Sequence, residues 1–155
     1  MFRRILVALL LLAVGRFAAS QLVNPDAAPA VATAGRLATQ ENGKIVIDRM
    51  TGLHWERGVA ATGMNWSDAM SWCNVNTLGL PGSGWRLPTV GELNQLVDRQ
   101  RSNPAIDPLF TGTPADDFWT SSAVAGESLP WSVSFYAGTT MTSDPATSHR
   151  VRCVR

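Results

Sequence analysis

The chain is short of the residues that most often carry chemistry: among 155 residues there are two cysteines, two histidines and one tyrosine. Cys73 and Cys153 form no Cys-x-x-Cys unit, and His54 and His149 stand at no ligand-like spacing from them or from each other, so no zinc site is outlined. Ser121 and Ser122 have no Gly-x-Ser-x-Gly context, which removes the hydrolase nucleophile elbow. Gly82-Ser83-Gly84 runs into Trp85 instead of a Gly-Lys-Ser/Thr sequence, which removes the phosphate loop. Only 16% of the residues are charged, 13 basic against 12 acidic, with no block of one sign. A nucleic-acid surface needs a clustered positive excess, so this partner class is excluded. Arg86, Arg99, Arg101, Arg150 and Arg152 remain a candidate local patch whose convergence sequence leaves open.

What is present begins with a targeting pattern. Arg3 and Arg4 precede an apolar run from Ile5 to Val14, and Ala18-Ala19-Ser20 offers small residues to a peptidase; Ala32-Thr33-Ala34 offers a second match. The run is half of the roughly 20 residues a membrane span requires, so residues 1–20 read as a signal peptide and not as an anchor. No cysteine lies near either cleavage match to be acylated. The expectation is a secreted or periplasmic product with no membrane insertion after signal removal. Losing Arg3, Arg4 and Arg16 leaves ten basic and twelve acidic residues, a net charge of −2. Two cysteines in an exported chain predict a Cys73–Cys153 disulfide, with metal-bound thiols as the competing reading.

Residues 21–40 are rich in alanine and proline without sustained periodicity, which predicts a flexible tether and a single domain over 41–155. Lys44–Asp48 is a β-branched run, and Thr51-Gly52 reads as the turn before a hairpin partner at Leu53-His54-Trp55. Asn65 can cap a helix that carries Trp66, Ala69, Met70 and Cys73 on one face. Thr89 and Glu92 have capping-box spacing ahead of the stripe Val90, Leu93, Leu96 and Val97. After the irregular stretch 99–117, strands are predicted at Phe118–Ala123, Trp131–Ala137 and His149–Arg155. Helices followed by strands predict an α+β fold with two helices packed on a largely antiparallel sheet.

A series of short motifs runs in one order: Thr51-Gly52-Leu53 with Trp55, Trp66 with Ala69 and Cys73, Trp85-Arg86-Leu87-Pro88-Thr89 followed by Glu92-Leu93, Ile106-Asp107, Phe110, Trp119-Thr120-Ser121-Ser122, and the closing Val151 to Arg155. Together, over residues 40–155, they resemble the bacterial family named after the C-terminal domain of the collagen-like adhesin Lcl. The resemblance implies a C-type-lectin-like fold in which a helix-to-last-strand disulfide is at home. It also implies kinship of fold with the formylglycine-generating and sulfatase-modifying enzymes. In the adhesin the domain is associated with sulfated glycans at host surfaces; the collagen-like stalk that would multiply such binding is not found here.

The candidate ligand residues follow from these two readings. Six tryptophans are the least usual feature, and Trp119 is the one taken forward as a sugar-stacking ring, although core packing explains most of the six. The stretch 104–117, where lectin-like folds place a long ligand loop, carries Asp107, Asp116 and Asp117. Calcium would need six to eight oxygens, and the sugar-chelating tripeptides of calcium-dependent lectins are missing, so no cofactor is expected and the aspartates read first as turn residues. Arg86 either pairs with a structural carboxylate or faces an anionic ligand. Asn65-Trp66-Ser67 fits a glycosylation sequon, but helix capping is the simpler role. The expectation is therefore a non-catalytic module that binds an extracellular glycan or protein partner. The alternatives are a copper enzyme using the cysteine pair and a structural envelope component.

Overall fold

The computed structural model describes residues 35–40 and 42–155. The expected signal peptide and residues 21–34 of the expected tether lie outside the described residues. The chain forms β1 (Leu37–Thr39), β2 (Ile45–Asp48), β3 (His54–Glu56), α1 (Trp66–Asn74), α2 (Val90–Asn94), β4 (Asp117–Ala123), β5 (Pro130–Ser134) and β6 (Thr139–Thr142). The fold is α+β, with two antiparallel sheets of three strands each, β1-β2-β3 and β4-β5-β6, where one sheet was expected.

The hairpin of β2 and β3 pairs Val46 with Trp55 and closes over Thr51-Gly52. Gly52 sits at φ +74°, in the left-handed region that favours glycine. The folded unit reaches further back than residue 41. β1, inside the expected tether, pairs Leu37 with Asp48, and the Arg36 guanidinium holds the Asp48 carboxylate at 2.6 Å. A strand of three residues is too short to show a period in the sequence. Asn65 caps α1 by accepting from the Asp68 backbone, and Ala69 and Cys73, one turn apart, are its buried residues. Thr89 and Glu92 complete the capping box of α2 in both directions. That helix stops at Asn94, so Leu96 of the apolar stripe lies in the turn beyond it and Val97 bridges Ile106.

Two apolar clusters share the strands that separate them. Ile45 belongs to one and Val46 to the other, and the same division splits Trp119 from Phe118 and Cys153 from Val154. Successive strand residues point to opposite faces, so a strand with core on both sides buries them all. Ser132 and Ser134 are accordingly buried beside Val133, and Arg152 beside Val151. The expected strand His149–Arg155 is not continuous. It changes partner along its length, bridging Met64 at His149, Phe118 at Arg150, and both Trp55 and Arg86 at Val154. The Cys73–Cys153 disulfide fastens this closing segment to α1, and both cysteines are buried.

Candidate functional site

Residues 149 and 150 of the closing segment meet the start of β4 along an open polar cleft of about 340 Å³ lined by Gly63, Asp116, Asp117, Ser148, His149 and Arg150. Backbone pairing fixes its walls. The Arg150 N–H donates to the Asp117 carbonyl at 2.9 Å, the Trp119 N–H to the Arg150 carbonyl at 3.0 Å, and Met64 and His149 exchange both of their backbone bonds. Glycine is required at position 63: a Cβ there would stand 2.6 Å from the Ser148 hydroxyl and 3.1 Å from the His149 carbonyl.

The charged groups are partly committed. Arg150 Nε lies 2.9 Å from Asp116 Oδ2, and its Nη1 donates to the Ala61 carbonyl at 2.6 Å. The Asp117 carboxylate has no hydrogen bond among the described residues. The His149 ring lies against Trp119 with centroids 4.3 Å apart. Burial holds its pKa below the ordinary value, against the opposing pull of Asp117, so the ring is neutral at pH 7. The cleft thus offers a carboxylate, a guanidinium and a hydroxyl on a fixed frame, a set suited to hydrogen-bonding a polar ligand. Ser148 meets the His149 ring through its backbone and not through its hydroxyl, and among the described residues no three His, Cys, Asp or Glu side chains converge as a metal cage.

Of the candidates named from the sequence, the structure brings Asp116 and Asp117 together here. Asp107 lies on a separate groove beside Arg36 and Asp98, and its Oδ1 accepts from the Leu109 backbone at 2.8 Å, the role of a turn residue. Arg86 is paired with Glu92 through two bonds of 2.8 and 2.6 Å. Trp119 requires correction as a stacking platform: it is fully buried, and its indole N–H donates to the Met64 carbonyl at 2.8 Å. Trp66 is likewise tied to the Thr120 carbonyl, and none of the six tryptophans is exposed. The arginines do not form a shared patch. Arg86, Arg101 and Arg150 each hold a different carboxylate, and Arg152 is fully buried. Sequence reasoning does not reach Gly63, Ser148 and His149 as cleft residues, since no local pattern links positions 63 and 148.

A second carboxylate lies apart from the cleft. Glu56 is 2% exposed, and its Oε2 accepts from the Cys153 backbone at 2.9 Å. Burial pushes it up to about 7, against the bond from Cys153 and the field of Arg152. Arg152 donates to the Thr113 hydroxyl at 2.6 Å and stands 4.5 Å over the Phe110 ring, while its Nε and Nη1 are buried without partners. Burial brings its guanidinium down to about 10, with Glu56 opposing.

Residues 44–155 match the family model described as the Lcl C-terminal domain. No curated protein matches the chain.

Proposed function

Because the chain belongs to the Lcl C-terminal domain family, we propose that it is a non-catalytic recognition module of C-type-lectin-like type. It acts outside the cytoplasm and holds a glycan or a protein partner in the cleft at Asp116, Asp117 and Arg150. The observation that carries this reading is the cleft itself: hydrogen-bonding groups of both signs on an open surface, over a frame of paired backbone, with no nucleophile and base in contact. The buried disulfide fits an oxidising compartment. It also places the two sulfurs out of reach of a substrate, which weighs against a copper enzyme built on reactive thiols.

The test is binding of the purified domain to an array of neutral and sulfated glycans, repeated with Asp117→Ala and Arg150→Ala. The expected result is saturable binding that falls at least tenfold in Asp117→Ala, whose carboxylate supports no internal bond, with an unchanged melting temperature. Unaltered binding in both variants would move the site elsewhere. A silent array together with turnover of a peptidyl-cysteine substrate in the presence of copper would overturn the module in favour of the enzyme.

A further inference from the structure

The cleft at Asp117 carries an excess of negative charge. Of the two carboxylates on its lining, Asp116 is taken by Arg150 Nε, and no hydrogen bond involves the Asp117 carboxylate among the described residues. The guanidinium is committed at Nε and at Nη1, which donates to the Ala61 carbonyl, and Nη2 is left without a protein partner. His149 adds no compensating cation: burial keeps its ring neutral at pH 7, and its Nε2 is enclosed with no hydrogen-bond partner. The segments that frame the cleft have the same bias. Residues 58–63, 111–117 and 143–149 hold Asp116, Asp117 and Asp144 and no lysine or arginine, so Arg150 stands alone against three carboxylates. Water and salt screen this charge in an open cleft, but they do not reverse its sign.

A sulfate or carboxylate entering here would meet Asp117, with only an arginine already shared with Asp116 in its favour. A ligand ammonium would pair with the free carboxylate. Lysine and amino sugars both carry one, and the lining separates them. A lysine buries its four-carbon stem along apolar surface, and none of Gly63, Asp116, Asp117, Ser148, His149 and Arg150 is aliphatic. A sugar instead carries hydroxyls beside its amine, and Ser148 Oγ and Arg150 Nη2 are an acceptor and a donor for them. Resting on the reading of this cleft as a recognition site, we propose that its ligand is an amino sugar with an unacylated amine. The ammonium pairs with Asp117, and the neighbouring hydroxyls bond to Ser148 and Arg150. The preference runs opposite to one for sulfated glycans.

The experiment is a titration of the purified domain near pH 6.5, followed by the amide chemical shifts of Gly63, Asp117, Ser148 and Arg150. The probes are the methyl glycosides of glucosamine, N-acetylglucosamine and N-sulfoglucosamine, which place a cationic, a neutral and an anionic nitrogen on one ring. Saturable shifts are expected with the ammonium, about fivefold tighter than with the acetamide, the scale of one exposed ion pair, and the N-sulfate should bind most weakly. The advantage should shrink with added salt and vanish in Asp117→Asn, which removes the charge and keeps the shape, at unchanged melting temperature. Should Asp117→Asn fail to fold, the salt series on the unaltered domain carries the test: affinity for the ammonium falls with salt while affinity for the acetamide holds. Equal or tighter binding of the N-sulfate would overturn the amino-sugar assignment and leave the cleft standing as a recognition site. Nα-acetyl-lysine amide binding as tightly as the glucosaminide would overturn the sugar in favour of a basic side chain. Absence of a saturable shift with every probe would overturn the assignment, and the glycan array with Asp117→Ala and Arg150→Ala then decides separately whether the cleft is a recognition site at all.

Discussion

Glu92 and Glu56 are the same residue put to opposite uses. Glu92 stands three residues from its cap partner, accepts from the Thr89 backbone, pairs with Arg86 near the surface, and has its pKa brought down to about 2 chiefly by the hydrogen bonds from Arg86. Glu56, the last residue of β3, is enclosed against the closing segment, makes no ion pair among the described residues, and is raised by burial to about 7. One region is stabilised by its carboxylate being charged, and the other bears that charge as a cost. A carboxylate whose partners are local is complete at the surface. One whose partners arrive from 97 residues away is governed by what the fold removes from around it.

The largest effect that would break this contrast is removal of the disulfide, because Cys153 carries the N–H that holds Glu56. Cys73→Ala with Cys153→Ala opens a loop closed over a separation of 80 residues, and the expected loss is about 4.5 kcal/mol by the chain-entropy relation. Urea unfolding measures it. If the closing segment loosens, the Glu56 titration should also fall back towards the ordinary carboxylate range in carbon-detected NMR.

Next in size is the pH dependence of stability. The folded-state pKa of Glu56 lies above its ordinary value of 4.5, so the folded protein binds the proton more tightly than the unfolded chain. Its contribution is present below pH 4.5 and is lost as pH rises through about 7. A tenfold difference in proton affinity is worth about 1.36 kcal/mol, which makes the amplitude of this limb about 3 kcal/mol, and Glu56→Gln should flatten it in melts taken across the range. Glu92 has the opposite sign, with stability present above pH 4.5 and lost as pH falls through about 2. The Arg86 side chain is 42% exposed, so solvent screening reduces the worth of this pair. Glu92→Gln and Thr89→Ala are each expected to cost about 1 kcal/mol, measured at pH 7 by the same unfolding experiment.

The cap at Thr89 and Glu92 and the cap at Asn65 are legible in the sequence because their partners sit three residues apart. So is the β2–β3 hairpin, whose turn residues separate two short apolar runs. β1 and β6 are not. β1 is only three residues, Leu37-Ala38-Thr39, after an alanine-rich stretch, and β6 is a run of four exposed residues with no alternation. Both exist because a neighbouring strand offers free backbone groups. The closing segment reads as one strand because its apolar residues alternate with arginines, whereas Arg152 is as buried as the valines beside it. At the cleft, Asp116 and Asp117 stand out as clustered acids. Trp119 does not declare its place: composition shows a ring and not which side of the strand it occupies.

The sequence by itself determined the pairing partner of each cysteine, the two helix starts, the order of most strands and membership of the family, all of which rest on spacing along the chain or on there being only two cysteines to join. Only the tertiary structure decided that the strands bury both faces, that Gly63 admits Ser148 and His149 to one cleft, and that Glu56 is enclosed with Arg152 while Glu92 stays near water. Those outcomes depend on desolvation and on contacts between segments far apart in sequence, which no local pattern encodes.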